Sequence, residues 1–290
     1  MKTVKTLACV LAASACISGA FAFGSKKAEG IKNDITVISR ESGSGTRGAF
    51  IELFGVEVKN DQGKKIDMTV ETADITNSTE VVLTSVAGNS SAIGYISLGS
   101  LNNTVKALKI DGSSASVANI KNGSYKISRP FNIVTKGKIS PAAEEFYRYI
   151  LSSEGQTVIE KNGYIAAVQN PAYIASAKTG KVTVAGSSSV FPVMEKLAEA
   201  FKAVNPGITV EVSQSDSTTG INSAIQGVCD IGMASRDLKS SETSQGVSGT
   251  KIALDGIAVI VNKANPAANL AKDTIRQIFT GDITKWSEAK

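Results

Sequence analysis

Histidine is absent from all 290 residues of the chain. This absence excludes His-based catalytic triads, imidazole general bases and most zinc sites. Cysteine is also scarce: Cys9 and Cys16 lie in the N-terminal segment, which leaves Cys229 in the body of the chain. One cysteine cannot form an internal disulfide, and its apolar setting, GVCDIGMA, predicts a buried structural thiol.

Runs of basic residues interleaved with aromatic residues are missing as well. The formal net charge is only +5 and the lysines are scattered, so nucleic-acid binding is not predicted, although a mildly positive field would attract an anion. The apolar content of 42% and the mean hydropathy of +0.04 indicate a globular chain, neither disordered nor polytopic. Its length suffices for two lobes.

The N-terminus has the pattern of a secretory signal peptide, which we place at residues 1–22, followed by a flexible leader, residues 23–33. Two lysines precede a short apolar run, and Ala-Phe-Ala at 20–22 forms a small-x-small cleavage site. The apolar run is too short to span a bilayer. A rival processing site at Cys16 would give a membrane-anchored lipoprotein. We therefore expect export across the cytoplasmic membrane to the periplasm or the cell surface.

Residues 35–54, ITVISRESGSGTRGAFIELF, predict a short buried strand, a loop and a helix. The helix is indicated by the spacing of Ala49, Phe50, Leu53 and Phe54. A glycine-rich loop that opens a helix leaves backbone N–H groups without partners at the positive end of the helix dipole. Such a loop favours a small oxyanion.

The side chains of this loop suit the same ligand. Ser44 and Thr46 supply hydroxyl donors, Gly45 lets the backbone approach closely, and Arg40 can present two parallel donors to two oxygens. The alternative is an ordinary turn with a Ser or Thr N-cap. The loop has neither the Gly-Lys-Ser/Thr of a P-loop nor the dinucleotide G-x-G-x-x-G, so the candidate ligand is a small free anion.

The pattern of strand, hydroxyl-bearing loop and helix recurs downstream, which indicates an α/β fold. KVTVAG leads into the loop 186–189, ITVEVSQS into SDSTTG, and DIGMA into a serine and an arginine. Each loop alone could be routine capping. Four converging loops and one arginine would form a dry pocket of neutral donors around one anion.

Other segments carry more local predictions. DMTVETAD, residues 67–74, is expected to be a strand, and Val81, Val82 and Val86 are expected to share the inner stripe of a helix. Ser140 before Pro141 predicts a helix start. PFNIVTK and KIALDGIAVIVNK predict strands that cross between the lobes, and NPAYIASAKTG has linker character.

Together, SRESGSGTRGAF, AGSSSVFP, DIGMASR, GIAVIVNK, IRQIFTGDITKW, AIGYISLG and ILSSEGQTVIEKNGYIA resemble the phosphate-binding protein of the bacterial ABC phosphate transporter, the Pst family. The resemblance covers nearly the whole mature chain. In the family the AGSSS strand comes first and the SSEGQ helix last, whereas this chain begins just after the TGDITKW turn. It therefore looks like a circular permutant in which NPAYIASAKTG joins the old ends.

The resemblance implies a type II-like periplasmic-binding fold, with two lobes, a hinge of two crossing strands and a ligand clamped between the lobes. One lobe would comprise residues 34–129 plus 262–290, and the other residues 130–261. The family's phosphate contacts map onto Arg40, Ser44, Gly45, Thr46, Ser188, Ser189 and Ser217. Ser235 stands where family members place an aspartate that accepts the proton of hydrogen phosphate, with Asp237 two residues on.

The expected function is capture of phosphate outside the cytoplasmic membrane and delivery to an ABC permease by a monomer. No catalytic residue, metal site, cofactor or nucleic-acid partner is expected. The alternatives are a binding protein for sulfate or arsenate, or a permuted scaffold or sensor without a role in transport. A phosphate-handling hydrolase would need a nucleophile with a base, or a metal cluster, and the sequence offers neither pattern.

Overall fold

The computed structural model describes residues 33–289; the predicted signal peptide, nearly all of the leader and Cys16 lie outside this range. The strands are β1 (Thr36–Arg40), β2 (Glu57–Lys59), β3 (Lys65–Asp67), β4 (Asp74–Thr76), β5 (Ala92–Ser97), β6 (Val105–Ala107), β7 (Lys109–Ile110), β8 (Ser128–Lys136), β9 (Ile165–Ala166), β10 (Gly180–Ser187), β11 (Ile208–Ser215), β12 (Ile231–Ala234), β13 (Val247–Asn262) and β14 (Asn269–Leu270). The helices are α1 (Gly45–Phe54), α2 (Thr79–Gly88), α3 (Val117–Lys121), α4 (Pro141–Leu151), α5 (Ser153–Lys161), α6 (Phe191–Val204), α7 (Ser217–Gln226), α8 (Ser240–Thr243) and α9 (Lys272–Thr280). Within residues 33–289, no helix is long and apolar enough to cross a membrane.

The central sheet has the order β11-β10-β12-β8-β13-β5-β1-β4, with β6 and β9 paired to β13. Parallel pairs lie towards its two ends: β10 pairs in parallel with β11 and β12, and β1 with β4 and β5. The strands between them, β8 and β13, are antiparallel to their neighbours. Two parallel α/β halves therefore meet at a pair of antiparallel strands.

The strand β13 runs through both halves. Its first part, from Val247 to Gly256, pairs with β8, and its second part, from Ile257 to Val261, pairs with β5. Its register with β8 shifts between Lys251 and Ala253. The long apolar stretch predicted as a crossing strand thus forms one continuous strand.

Separate hydrophobic clusters fill the two halves. One contains Phe131, Phe146 and Ala253, and the other contains Phe50 and Ile257, so the clusters change over within β13. The lobe limits near 129/130 and 261/262 remain predictions.

Local patterning explains several elements. Phe50 and Phe54 are buried on α1 as predicted, and Ser140 caps α4 by accepting from the N–H of Ala143 with Pro141 at the helix start. Cys229 is buried within a third cluster, which confirms the prediction of a buried thiol.

Two local predictions are wrong. Val82 and Val86 are fully buried on α2, but Val81 is 42% exposed, since neighbouring positions on an α-helix point about 100° apart. Residues 67–74 do not form one strand: Asp67 ends the exposed strand β3, Asp74 begins β4, and residues 68–73 connect the two, with Met68 exposed.

The linker-like segment NPAYIASAKTG, residues 170–180, lies outside the helices and strands up to Gly180, which begins β10, but it is tied to the surrounding structure. The Tyr173 hydroxyl donates to Glu145 Oε2 at 2.8 Å, and Lys178 Nζ lies 2.9 Å from Glu145 Oε1. Burial acts to raise the pKa of Glu145, but the donors Lys178 and Tyr173 bring it below its ordinary value. The segment is therefore anchored to helix α4 through the carboxylate of Glu145.

The first and last described segments lie side by side. Asp34 and Lys285 form an antiparallel bridge, and the N–H of Ile35 donates to the carbonyl of Thr284 at 2.8 Å. The N–H of Trp286 donates to Asn33 O at 2.7 Å, and its indole N–H donates to the carbonyl of Ser91 at 3.0 Å. These bonds join the two segments directly before β1.

Candidate functional site

Four helices begin where neighbouring strands end. Helix α1 follows β1, α2 follows β4, α6 follows β10 and α7 follows β11. Within each half of the sheet, the carboxyl ends of parallel strands share one edge, so the starts of α1 and α2 lie together, as do the starts of α6 and α7. Hydrogen bonds across the halves bring these two pairs of helix starts against each other. Each helix start offers free backbone N–H groups and a positive partial charge, so the geometry favours an anion.

Arg40 ends β1 and is 2% exposed. Its Nη2 donates to Ser188 Oγ at 3.1 Å, and its Nη1 lies 3.5 Å from Thr79 Oγ1. Its Nε and Nη2 also donate to the carboxylate of Glu41, at 2.7 and 2.6 Å. The guanidinium therefore joins the start of α2 to the loop before α6.

Hydroxyl groups from both halves of the sheet hydrogen-bond to one another. Thr46 Oγ1 lies 2.8 Å from Ser189 Oγ, which lies 3.2 Å from Thr79 Oγ1. Ser235 Oγ lies 3.2 Å from Ser217 Oγ, and the N–H of Ser235 donates to that same oxygen at 3.0 Å. We call these residues, with Arg40, Ser44, Gly45, Ser187 and Ser188, the hydroxyl cluster.

Gly45 lies where the two halves touch. A Cβ on this residue would come within 2.5 Å of Ser217 Oγ and 2.7 Å of Ser235 Oγ. A backbone N–H at the start of α1 can face the other half this closely only because the residue has no side chain.

All eight predicted residues are buried. Hydrogen bonds or close approaches join seven of them across the two halves, and Ser44 lies beside them as the residue before Gly45. Ser44 also serves as the N-cap of α1, since its Oγ accepts from the N–H of Arg47 at 3.3 Å. The routine capping role is thus real, and it leaves the Ser44 O–H free to donate. Whether the eight contact a ligand remains a prediction.

Asp237 lies outside the cluster. It is exposed, whereas Ser235 is 1% exposed and hydrogen-bonded within the cluster. Between them Arg236 is paired with Glu242, at 2.7 and 2.8 Å. Ser235 is therefore the residue of this strand end that could face an anion.

Sequence reasoning missed four members of the site: Arg129, Asp255, Thr79 and Ser187. Arg129 Nη1 donates to Thr46 Oγ1 at 2.7 Å, and Arg129 Nη2 lies 3.1 Å from Asp255 Oδ2. A signal was present, because Asp255 interrupts the apolar run IALDGIAVIV and Arg129 directly precedes PFNIV, and a charge in such a setting is costly unless it is paired. Thr79 is the first residue of α2 and carries a hydroxyl, as does the predicted residue Ser217 at the start of α7.

Burial dominates the electrostatics of the site. It raises the pKa of Asp255 to about 6 against the lowering effect of Arg129, and it lowers the pKa of Arg129. Tyr95, whose hydroxyl lies 2.9 Å from Ser39 Oγ beneath Arg40, has its pKa raised to about 12 by burial. The arrangement offers the Arg40 guanidinium, several hydroxyls and helix starts, with Arg129 behind them, which suits a tetrahedral oxyanion.

Known proteins share this fold and segment order. Residues 18–154 and 171–290 match the family model of the PBP superfamily domain. The chain is 59% identical over 258 residues to phosphate-binding protein PstS 2 of Streptococcus agalactiae, which covers 89% of this chain and 88% of that protein. It is 46% identical over 257 residues to PstS 2 of Streptococcus pneumoniae, which covers 88% of each.

A crystal structure of a phosphate ABC transporter phosphate-binding protein from Streptococcus pneumoniae superposes with a TM-score of 0.69 at 46% identity. The match covers 89% of this chain and all of that one. These comparisons confirm the two-lobe α/β fold. They leave circular permutation a prediction, but alignments through most of both chains mean that the streptococcal relatives have the same segment order. The chain therefore belongs to the PBP superfamily and, within it, to the PstS family of phosphate-binding proteins.

Proposed function

We propose that the chain binds one inorganic phosphate between its two lobes, outside the cytoplasmic membrane, and delivers it to an ABC permease. The observation that carries this proposal is the convergence of Arg40 and the starts of α1, α6 and α7 in one buried cluster. Helix starts and a guanidinium recognise an anion through preorganised donors. The names of the streptococcal relatives support phosphate as that anion.

Each predicted contact has a distinct role in this proposal. Arg40 supplies the charge, and the backbone N–H groups of Gly45 and Thr46 supply donors at the positive end of α1. Ser188 and Ser189 would contact the anion from the loop before α6, and Ser44, Ser217 and Ser235 would add hydroxyls. A hydroxyl can accept as well as donate, so Ser235 could take the hydrogen bond of a protonated phosphate oxygen without an aspartate.

A binding role is favoured over a catalytic one. The carboxylates beside the cluster, Glu41 and Asp255, are each engaged by an arginine. Within the described residues, no group of three or more His, Cys, Asp or Glu side chains could hold a metal ion. The named relatives are binding components of transporters, which supports a protein that captures its ligand unchanged.

The remaining parts of the proposal follow from the sequence. Residues 34–129 with 262–290 would form one lobe and residues 130–261 the other, in a circularly permuted order. The protein would act as a monomer after export, in the periplasm or on the cell surface, free or as a lipoprotein anchored through Cys16. The continuity of β13 through the two hydrophobic clusters, with β8 paired along its first part, supports the crossing strands as the hinge.

Isothermal titration of the exported protein with phosphate, arsenate and sulfate tests the proposal. We expect one site per chain, with binding of phosphate and arsenate. A serine hydroxyl can donate to an unprotonated oxygen as well as accept from a protonated one, so Ser235 does not repel sulfate as an aspartate would, and the titration measures how far phosphate is preferred over sulfate. No heat with phosphate, or a preference for sulfate, would refute phosphate as the ligand. A chromogenic phosphomonoester should not be hydrolysed, and turnover would instead support the hydrolase.

A further inference from the structure

A buried ion pair lies directly behind the hydroxyl cluster, on the two crossing strands. Arg129 near the start of β8 is opposite Asp255 of β13 in the strand register. Their side chains are 2% and 0% exposed, and Arg129 Nη2 lies 3.1 Å from Asp255 Oδ2. Apolar residues in place of such a pair are often at least as stable, so stability is a weak reason for its presence.

The guanidinium of Arg129 reaches beyond its partner. Its Nη1 donates to Thr46 Oγ1 at 2.7 Å and to the carbonyl oxygen of Ser235 at 3.1 Å. Thr46 belongs to α1 in one half of the molecule, and Ser235 follows β12 in the other half. One nitrogen atom at the crossing strands thus bridges helix α1 of one half and the loop after β12 of the other.

Asp255 fixes the orientation of this bridge. Its Oδ2 accepts from Arg129 Nη2 and lies 3.4 Å from Nε, while its Oδ1 accepts from Ser97 Oγ at 2.9 Å. The guanidinium also lies 5.2 Å from the ring centroid of Phe131, two residues along β8. Because Asp255 engages Nε and Nη2 of the planar guanidinium, Nη1 is directed away from Asp255, towards Thr46 and Ser235.

The bond from Arg129 has a consequence for Thr46. A hydroxyl that accepts from a guanidinium directs its own hydrogen elsewhere. Here the group within reach is Ser189 Oγ, 2.8 Å away in the hydroxyl cluster. The charge on Arg129 therefore polarises the Thr46 hydroxyl as a donor towards the cluster.

We infer that Arg129, anchored by Asp255, is a positioning residue of the phosphate site that orients the Thr46 hydroxyl and locks the Ser235 loop onto α1 as the lobes close. This inference rests on the proposed function. It assigns to the crossing strands a part in ligand affinity in addition to their part in the hinge. Arg40 remains the arginine that contacts the anion.

The decisive variant is the neutral pair Arg129→Gln with Asp255→Asn. It keeps the shape and the hydrogen-bonding capacity of the pair while it removes both charges, so that no unpaired charge stays buried. We expect the melting temperature of the free protein to stay close to the wild-type value. The Kd for phosphate should rise roughly tenfold to a hundredfold, which corresponds to the loss of about one hydrogen bond to a charged group.

Two further variants separate the orienting role of Arg129 from the effect of losing a positive charge. Arg148→Gln removes a half-exposed positive charge that pairs with Glu145 elsewhere, and it should leave the Kd unchanged. Arg129→Lys keeps the charge without the fork, and it should bind with an affinity between those of the wild type and the neutral pair.

A double-mutant cycle keeps the inference testable even if the neutral pair does not fold. If Arg129 acts through Thr46, the losses from Arg129→Lys and Thr46→Val should not add. Additive losses would overturn the inference, as would a folded neutral pair with a Kd within threefold of wild type. A wild-type chain that gives no phosphate heat would overturn the proposed function, and this inference with it.

Discussion

Substitution of Gly45 by alanine tests whether closure of the two halves creates the site. The added Cβ would lie 2.5 Å from Ser217 Oγ and 2.7 Å from Ser235 Oγ, whereas ordinary contact begins at 3.4 Å. The two hydroxyls would have to rotate away, and the backbone contact would hold the halves about 0.4 Å further apart at this point. The Ser235 carbonyl carbon, at 3.0 Å, is backbone and cannot rotate away.

The rotation of the two hydroxyls, together with this opening, removes the Ser217 and Ser235 donors from an anion held on α1. Two lost hydrogen bonds to a charged group, at about 1.5–3 kcal/mol each, amount to roughly 3–6 kcal/mol, or two to four orders of magnitude in Kd. The methyl group lies at the contact between the halves and not in a core. We therefore expect the free protein to unfold at a temperature close to that of wild type.

Gly48→Ala is the matched control, on the same helix one turn further along. Its Cβ would meet only Arg236 Cδ, at 4.0 Å, so the lobes could close normally. Alanine is also favoured over glycine inside a helix by up to about 1 kcal/mol. Titration calorimetry should thus give a wild-type Kd for Gly48→Ala. If Gly45→Ala also binds within threefold of wild type, the two halves do not close on this glycine around the ligand.

Further predictions concern charge, capping, pH and the thiol. Arg40→Ala should raise the Kd for phosphate a few hundred- to a few thousand-fold, because losing one partner of a buried charge pair costs about 3–5 kcal/mol; a change below threefold in a titration would exclude Arg40 from the site. Ser44→Ala should cost less, on the order of 1–3 kcal/mol in binding, together with a drop in melting temperature from the lost N-cap; unchanged affinity would leave Ser44 as a cap alone. The raised pKa of Asp255, about 6, means that the folded state holds this proton more tightly than the unfolded chain. The free energy of unfolding of wild type, measured against Asp255→Asn by urea titration, should therefore fall as the pH rises from about 4 to 6; a pH-independent difference would contradict this. Burial raises the pKa of the Cys229 thiol to about 11, so an aromatic disulfide reagent at pH 8 should react with it slowly until urea is added, with Cys229→Ser as the blank; rapid reaction in the native state would show an accessible thiolate.

Local chemistry made much of the site predictable. Strand-loop-helix patterns placed Ser44, Ser188 and Ser217 near helix starts, and parallel pairing gathers such starts at one edge within each half of the sheet. The patterns alone do not show that the two edges face each other. Arg40 could be assigned because it ends the strand that leads into the glycine-rich loop.

Contacts between distant segments were not predictable in the same way. Arg129 and Asp255 are 126 residues apart, and their pairing depends on the register of β8 with β13, which hydrophobic patterning alone does not specify. The exposure of Val81 likewise depends on which face of α2 packs against the sheet. The clash that a side chain at Gly45 would cause is visible only once the two halves are brought together.

The pairing of residues 33–35 with residues 284–287 gives the molecule an intrinsic optical reporter. Trp286 is the one tryptophan in the sequence, and its indole donates to the carbonyl of Ser91 next to β1, the strand that carries Arg40. Its emission therefore comes from a single known environment, without labels or competing indoles. Melting of this contact should appear as a red shift in that emission, so tryptophan fluorescence follows the base of the strand that presents the guanidinium.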